Sequence, residues 1–188
     1  MNTKEKCSWC HGDSLYEAYH DKEWGVPVFD DATLFEFLIL ETFQAGLSWI
    51  TILRKRENFR KAFDAFDYKK IANYDQDKID GLLLNAGIVR NKLKIKATIT
   101  NAQAFIKIQS EYGSFSKYIW GFVDGQPIKN KFNKMSEVPA NTPLSDAVSK
   151  DLKKRGFKFV GSTVIYAHMQ ATGMVNDHIV NCFRHNEV

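Results

Sequence analysis

Apolar residues in this chain recur every three or four positions, segment after segment, and almost never every second position. Residues 30–46, DDATLFEFLILETFQAG, open on two Asp residues, carry Leu34, Phe35, Leu38 and Ile39, and then meet Gly46. A spacing of three and four puts side chains on one helical face. A leading Asp accepts the free amides of a first helical turn. Residues 48–66 repeat the pattern with Trp49, Ile52, Leu53, Phe59, Phe63 and Phe66. Residues 75–87 begin with acids and end at Gly87, which reads as the left-handed residue that closes a helix. Residues 91–113 carry Ile95, Ile99, Ala102 and Ile106 at helical spacing. Residues 145–156 end in Gly after a basic turn, and 162–173 and 176–185 read as a closing pair of helices. The Pro- and Gly-punctuated stretch 124–143 reads as a connection between helical groups. An all-α fold is predicted, with residues 1–188 forming one unit.

The bulk numbers exclude several classes. At 188 residues the chain is long enough for a sizeable core. No apolar run approaches the roughly 20 residues of a membrane span. The start, MNTKEKCSWC, lacks the apolar stretch of a secretory signal. Three cysteines are an odd count for a secreted disulfide framework. These features predict a cytoplasmic protein with reduced thiols and no membrane partner. The net charge of +4 permits a phosphate-bearing partner without requiring one. Aromatics make up 13% of the chain, enough to fill a core and also to line a pocket for a flat ligand.

Two ends of the chain carry metal-ligand residue types. In NDHIVNC, residues 176–182, His178 and Cys182 stand four apart. On a helix that spacing places an imidazole and a thiol on one face, as two corners of a zinc tetrahedron. Near the other end, residues 7–31 crowd Cys7, Cys10, His11 and His20 among Trp and Tyr. Cys7 and Cys10 form C-x-x-C, which reads as a zinc half-site, a redox pair or coincidence. A redox pair normally opens a helix after a strand, and that context is absent. A site joining the two ends would close a loop of nearly the whole chain, where the entropic return is largest. The bland alternative is a buried thiol and a hydrogen-bonded core imidazole.

Glu41 follows FEFLIL and precedes TFQAGLSWI, so the pattern buries a carboxylate. Such a group needs a partner or a function. With Trp49 beyond the Gly46 break it makes a fair pair for a base: the carboxylate accepts N–H groups and the indole stacks. The alternative is a buried ion pair or a helix cap. Residues 81–97, GLLLNAGIVRNKLKIKA, read as a helix, a tight turn at Gly87 and a basic helix. Amides at that second helix start, with Arg90, Lys92 and Lys94, suit a phosphate, and the segment resembles the helix-hairpin-helix of DNA-binding proteins. An ordinary helical hairpin is the competing reading.

Five longer blocks are more specific: YHDKEWGVP (19–27), QAGLSWITILRKRENFRKAF (44–63), AGIVRNKLKI (86–95), LKKRGFKFVGSTV (152–164) and VNDHIVNC (175–182). Together they resemble the DNA-3-methyladenine glycosylase I family of bacterial repair enzymes, over almost the whole chain. The resemblance implies a helix-hairpin-helix glycosylase fold of two helical lobes, the central one roughly 32–120. It implies a structural zinc held by Cys7, His20, His178 and Cys182, with Cys10 a bystander. It makes Glu41 and Tyr19 hydrogen-bonding partners of the base and Trp49 its stacking face. Tyr16 and Trp24 become pocket walls with Trp9 nearby, and Gly46 and Leu47 lie at the DNA-facing mouth.

The expected activity is a monomeric, monofunctional glycosylase. It would flip 3-methyladenine out of alkylated double-stranded DNA, release the free base and leave an abasic site. Glu41 would carry the site by selecting the base rather than activating water. Residues 97–111 hold no Asp to assist the attack. Two rival readings remain: a zinc-stapled DNA-damage binding module without turnover, and a zinc-stapled helical interaction protein.

Overall fold

The structure, a computed structural model, describes residues 5–188. Helix α1 spans Ser14–Lys22 and starts at Asp13, whose carboxylate accepts the amides of Leu15 and Tyr16. Helix α2, Asp31–Gln44, is capped by Asp30 and is buried over most of its length. It is the central element: α3 (Trp49–Ala62), α6 (Lys92–Tyr112), α7 (Phe115–Trp120) and α9 (Ser162–Ala171) all contact it. A helix that is apolar all round belongs in a core. Each fully buried Leu or Phe on it contributes about 1.5–3 kcal/mol relative to exposure. The remaining helices are α4 (Tyr68–Ile71), α5 (Gln76–Leu84) and α8 (Pro143–Lys154). No helix among the described residues is long and apolar enough to cross a membrane.

Three boundaries differ from the sequence pattern. Helix α3 stops at Ala62 rather than 66, because Asp64, Ala65 and Phe66 take positive φ of 50°, 55° and 57°. The turn lets Phe66 stack on Phe63 at 6.1 Å, and Asp64 receives the Tyr74 hydroxyl and the Lys78 ammonium. Helix α5 ends at Leu84, and Gly87 is not in the left-handed region. Close approach is what calls for glycine there: a Cβ would lie 3.0 Å from Asn85 Oδ1 and 3.2 Å from Asn58 Cγ. By contrast, α6 closes on Gly113 at φ +85°, as the pattern predicts.

The third difference concerns 176–185, which is not a helix. Val175–Asn176 is a short strand, β2, parallel to β1 (Ile128–Lys129), with Ile128 opposite Val175. Beyond it the chain runs irregularly to a single 3-10 turn at Phe183–Asn186. Side chains take the backbone groups that a helix would use. Asn176 Oδ1 accepts the His178 amide, Asn176 Nδ2 donates to the carbonyls of His185 and Val188, and His185 Nδ1 bonds the His178 carbonyl. A two-residue strand is too short for an alternation signal, so β1 and β2 were invisible in the pattern.

Candidate functional site

A cavity of about 280 Å³ opens where the N-terminal segment, α2, α3 and α9 meet. Its aromatic walls are Trp9, Tyr16, Tyr19 and Trp24, with Trp49 from the first position of α3. Helix α2 supplies Glu41 and, three residues on, Gln44. All six side chains singled out for a base pocket line this one cavity. Trp9 and Tyr16 centroids lie 4.7 Å apart, Trp9 and Trp24 5.1 Å, and Tyr19 and Trp49 5.5 Å. Sequence reasoning missed Gln44, Met135, Ala167 and Gln170. Gln44 had a signal, since i+3 from Glu41 shares its helical face. The other three arrive by tertiary folding.

Glu41 is only 3% exposed, and its Oε2 has no hydrogen-bond partner among the described residues. Nor has the indole Nε1 of Trp49, 8% exposed. Buried polar atoms are almost always paired, so an orphaned acceptor and donor in one cavity mark a place for a polar ligand. Burial alone pushes the Glu41 carboxyl up to about 8. It also raises the Tyr19 phenol well above its ordinary range.

At the end of α2, Gly46 turns the chain at φ +85°, and Leu47 is 42% exposed. Lys94 holds this end in place. Its ammonium, 6% exposed, donates to the carbonyls of Phe43 at 2.9 Å and Ala45 at 2.7 Å. A cation at a helix C-terminus satisfies open carbonyls and the helix dipole. Lys94 is therefore a helix cap, not a phosphate ligand, and the sequence expectation for it is corrected. Arg90 and Lys92 are exposed on the hairpin between α5 and α6. Asn91 takes the amides of Leu93 and Lys94, so those two are not open to a phosphate. Lys94→Met leaves the buried Phe43 carbonyl and the part-buried Ala45 carbonyl without this donor and is expected to cost about 1–3 kcal/mol of stability, read as a lower Tm. An unchanged Tm would contradict the capping role.

Behind the pocket lie four buried ligand-type side chains, Cys7, His20, His178 and Cys182, whose ligand atoms all fall within 4.8 Å of one another. Cys182 Sγ is 3.4 Å from His20 Nε2 and 3.4 Å from His178 Nδ1, and Cys7 Sγ is 3.7 Å from His178 Nδ1. A tetrahedron with sulfur at ~2.3 Å and nitrogen at ~2.0 Å from its centre has S···N edges of about 3.5 Å. The second nitrogens are also committed. His20 Nδ1 meets Asp21 Oδ1 at 2.8 Å, and His178 Nε2 meets the Trp24 carbonyl at 3.0 Å. Such outer partners fix which nitrogen faces a metal. Cys10 stands outside the cluster and donates to the Cys7 carbonyl at 3.1 Å. The C-x-x-C spacing thus misleads, and the His178–Cys182 pair meets through a loop rather than along a helix. The rings of Trp9 and Trp24 lie 5.4 Å and 6.3 Å from His20, so cluster and cavity share a wall.

Known proteins share this sequence and fold. The chain is 50% identical over 178 residues to DNA-3-methyladenine glycosylase 1 of Escherichia coli (strain K12), covering 95% of each. A crystal structure of a 3-methyladenine DNA glycosylase I superposes with a TM-score of 0.93 at 51% identity, covering 95% of this chain and 98% of that one. The 3-methyladenine DNA glycosylase I of Staphylococcus aureus, solved to show the structural basis of 3-methyladenine recognition, matches at 37% identity with a TM-score of 0.92, over 96% of each chain. A family model described as methyladenine glycosylase matches residues 9–185. With its fold and most of its length in common with these proteins, the chain belongs to the methyladenine glycosylase family.

Proposed function

We propose that this protein excises 3-methyladenine from alkylated double-stranded DNA by hydrolysing the N-glycosidic bond. The observation that carries the reading is the Glu41 carboxyl buried in an aromatic cavity, its Oε2 without a hydrogen-bond partner among the described residues. Methylation at N3 makes adenine cationic and a good leaving group. Aromatic faces and a buried carboxylate both favour a cation. Glu41 and Tyr19 hydrogen-bond the base, Trp49 stacks on it, and Tyr16, Trp24 and Trp9 wall it in. A base inside a duplex cannot reach this cavity, so the nucleotide is flipped out, at a cost of a few kcal/mol that is lowest for a damaged base. Water then attacks the deoxyribose C1′, the bond to the base breaks, and an abasic site is left with both strands intact.

The DNA side of the reading rests on placement. The hairpin of α5 and α6 acts as a helix-hairpin-helix, with Gly87 in its turn and Arg90 and Lys92 toward phosphates. Gly46 and Leu47, at the exposed end of the helix carrying Glu41, meet the duplex beside the flipped nucleotide. Residues 1–188 act as one unit, a central lobe of roughly 32–120 and a second lobe from the two ends of the chain. Zinc fits the Cys7, His20, His178 and Cys182 cluster by donor type, edge length and committed outer partners. Four protein ligands leave no open position, so the metal is structural. The enzyme works as a cytoplasmic monomer on cellular DNA.

Incubation with N-methylated duplex tests this directly. The expected result is released 3-methyladenine and a strand that breaks only on alkaline treatment. Binding without release would favour the binding-module reading. Breakage without alkali would contradict the monofunctional one. The pH dependence has a worked sign. A cationic base needs Glu41 ionised, and in the free enzyme that carboxyl titrates near 8. Below that pH the proton must leave first, so kcat/KM should rise about tenfold per pH unit and level off above about 8. A flat profile across this range would remove Glu41 from base recognition.

A further inference from the structure

Asp177, 1% exposed, accepts three hydrogen bonds behind the cavity. The Tyr166 hydroxyl donates to its Oδ2 at 2.6 Å, Gln170 Nε2 donates to the same oxygen at 2.8 Å, and Asn130 Nδ2 donates to Oδ1 at 2.6 Å. A carboxylate accepts and does not donate, so Gln170 can present only its NH2 to it. This fixes the amide orientation by chemistry rather than by choice. Gln170 also lines the cavity, and its backbone carbonyl accepts the Gly25 amide at 3.0 Å, beside Trp24. The atom that its amide has left for a ligand is Oε1.

We propose that Gln170, oriented by Asp177, is a specificity-determining residue whose Oε1 is a fixed acceptor selecting a purine with an N–H donor at that edge. The inference rests on the glycosylase reading and extends it to the choice between amino and oxo purines. A 6-amino group offers N–H to the amide oxygen. A 6-oxo group sets lone pairs against lone pairs. Glu41 does not enforce this choice alone, because a carboxyl near 8 meets a donor when ionised and a carbonyl when protonated. Gln170 has no such second state while Asp177 holds its NH2. A fixed acceptor of this kind discriminates by roughly tenfold to a hundredfold.

The test titrates the zinc-loaded protein with free 3-methyladenine and with 3-methylhypoxanthine, its 6-oxo counterpart, following tryptophan fluorescence. Wild type should prefer the amino purine by that factor. Gln170→Met keeps the length and removes the acceptor, so the preference should collapse. Asp177→Asn can turn either amide atom toward Gln170 and should weaken the preference in part. A merely structural role would lower both affinities together and leave their ratio unchanged; that result in Gln170→Met overturns the assignment. If that variant does not fold, an unchanged ratio in Asp177→Asn overturns it instead. Wild type binding neither purine would overturn the glycosylase reading along with this one. Wild type binding 3-methyladenine while the variant ratio stays fixed would overturn this assignment only.

Discussion

Glu41→Gln should lower excision of 3-methyladenine while making the empty protein more stable at alkaline pH. The amide keeps the shape and removes the charge that a cationic base would meet. A hydrogen bond to a charged group is worth about 1.5–3 kcal/mol, which predicts a loss of roughly tenfold to a hundredfold in single-turnover rate or base affinity. Stability moves the other way. The folded-state value near 8 lies above the ordinary value near 4.5, so the folded protein holds a proton that the unfolded chain releases. The contribution is fully present below the unfolded value and is lost as pH rises through about 8. Wild type should therefore weaken across this window, by up to a few kcal/mol, and Glu41→Gln should not. Melting curves from pH 5 to 9 and single-turnover assays check both halves. Normal excision with normal 3-methyladenine affinity would sink the role given to Glu41. A buried charge kept for function at the expense of stability is a common trade at a binding site.

Removing the metal should have the largest effect on the fold. Cys7 and Cys182 stand near opposite ends of the chain, so a cross-link between them closes nearly the whole chain as a loop. Closing so long a loop is worth about 4–5 kcal/mol by chain entropy. In a chain of this size each kcal/mol moves Tm by about 2–4 °C, so chelation or Cys182→Ser should lower it by roughly 10–20 °C. The Cys/His cluster and the cavity share Trp9 and Trp24, yet a metal enclosed by four protein ligands would have no position open to the reaction. Chelated protein held well below its new Tm should still bind 3-methyladenine. Calorimetry with metal analysis reads the first effect and fluorescence titration the second. Purified protein without zinc, or a Tm indifferent to a strong chelator, would remove the metal from the account.

Much of this molecule was legible in local pattern. The Asp caps, the apolar faces and Gly113 placed α2 and α6 to within a residue or two. Glu41 stood out because its neighbours leave no room for a charge. The ligand set was not legible that way. His178 and Cys182 sit at helical spacing in a segment that is not helical, and Cys10 sits at metal spacing without being in the cluster. Among the thiols and imidazoles near the start of the chain, only the resemblance to a family chose Cys7 with His20 over Cys7 with Cys10. Lys94 shows the limit from another side. Its sequence neighbours are basic and hairpin-like, yet its ammonium turns inward to cap a helix about fifty residues earlier.

The amino-acid sequence by itself determined the all-α class, most helix boundaries and the burial of a carboxylate beside an indole. These follow from periodicity and capping, which act over one or two turns of chain. Tertiary structure decided which thiols and imidazoles meet, that Lys94 is a cap, and that Gln170 reaches the cavity with its amide already turned by Asp177. Such contacts join residues from distant segments. Their partners are chosen by how α2, α9 and the two chain ends pack around one core, and no local spacing encodes that packing.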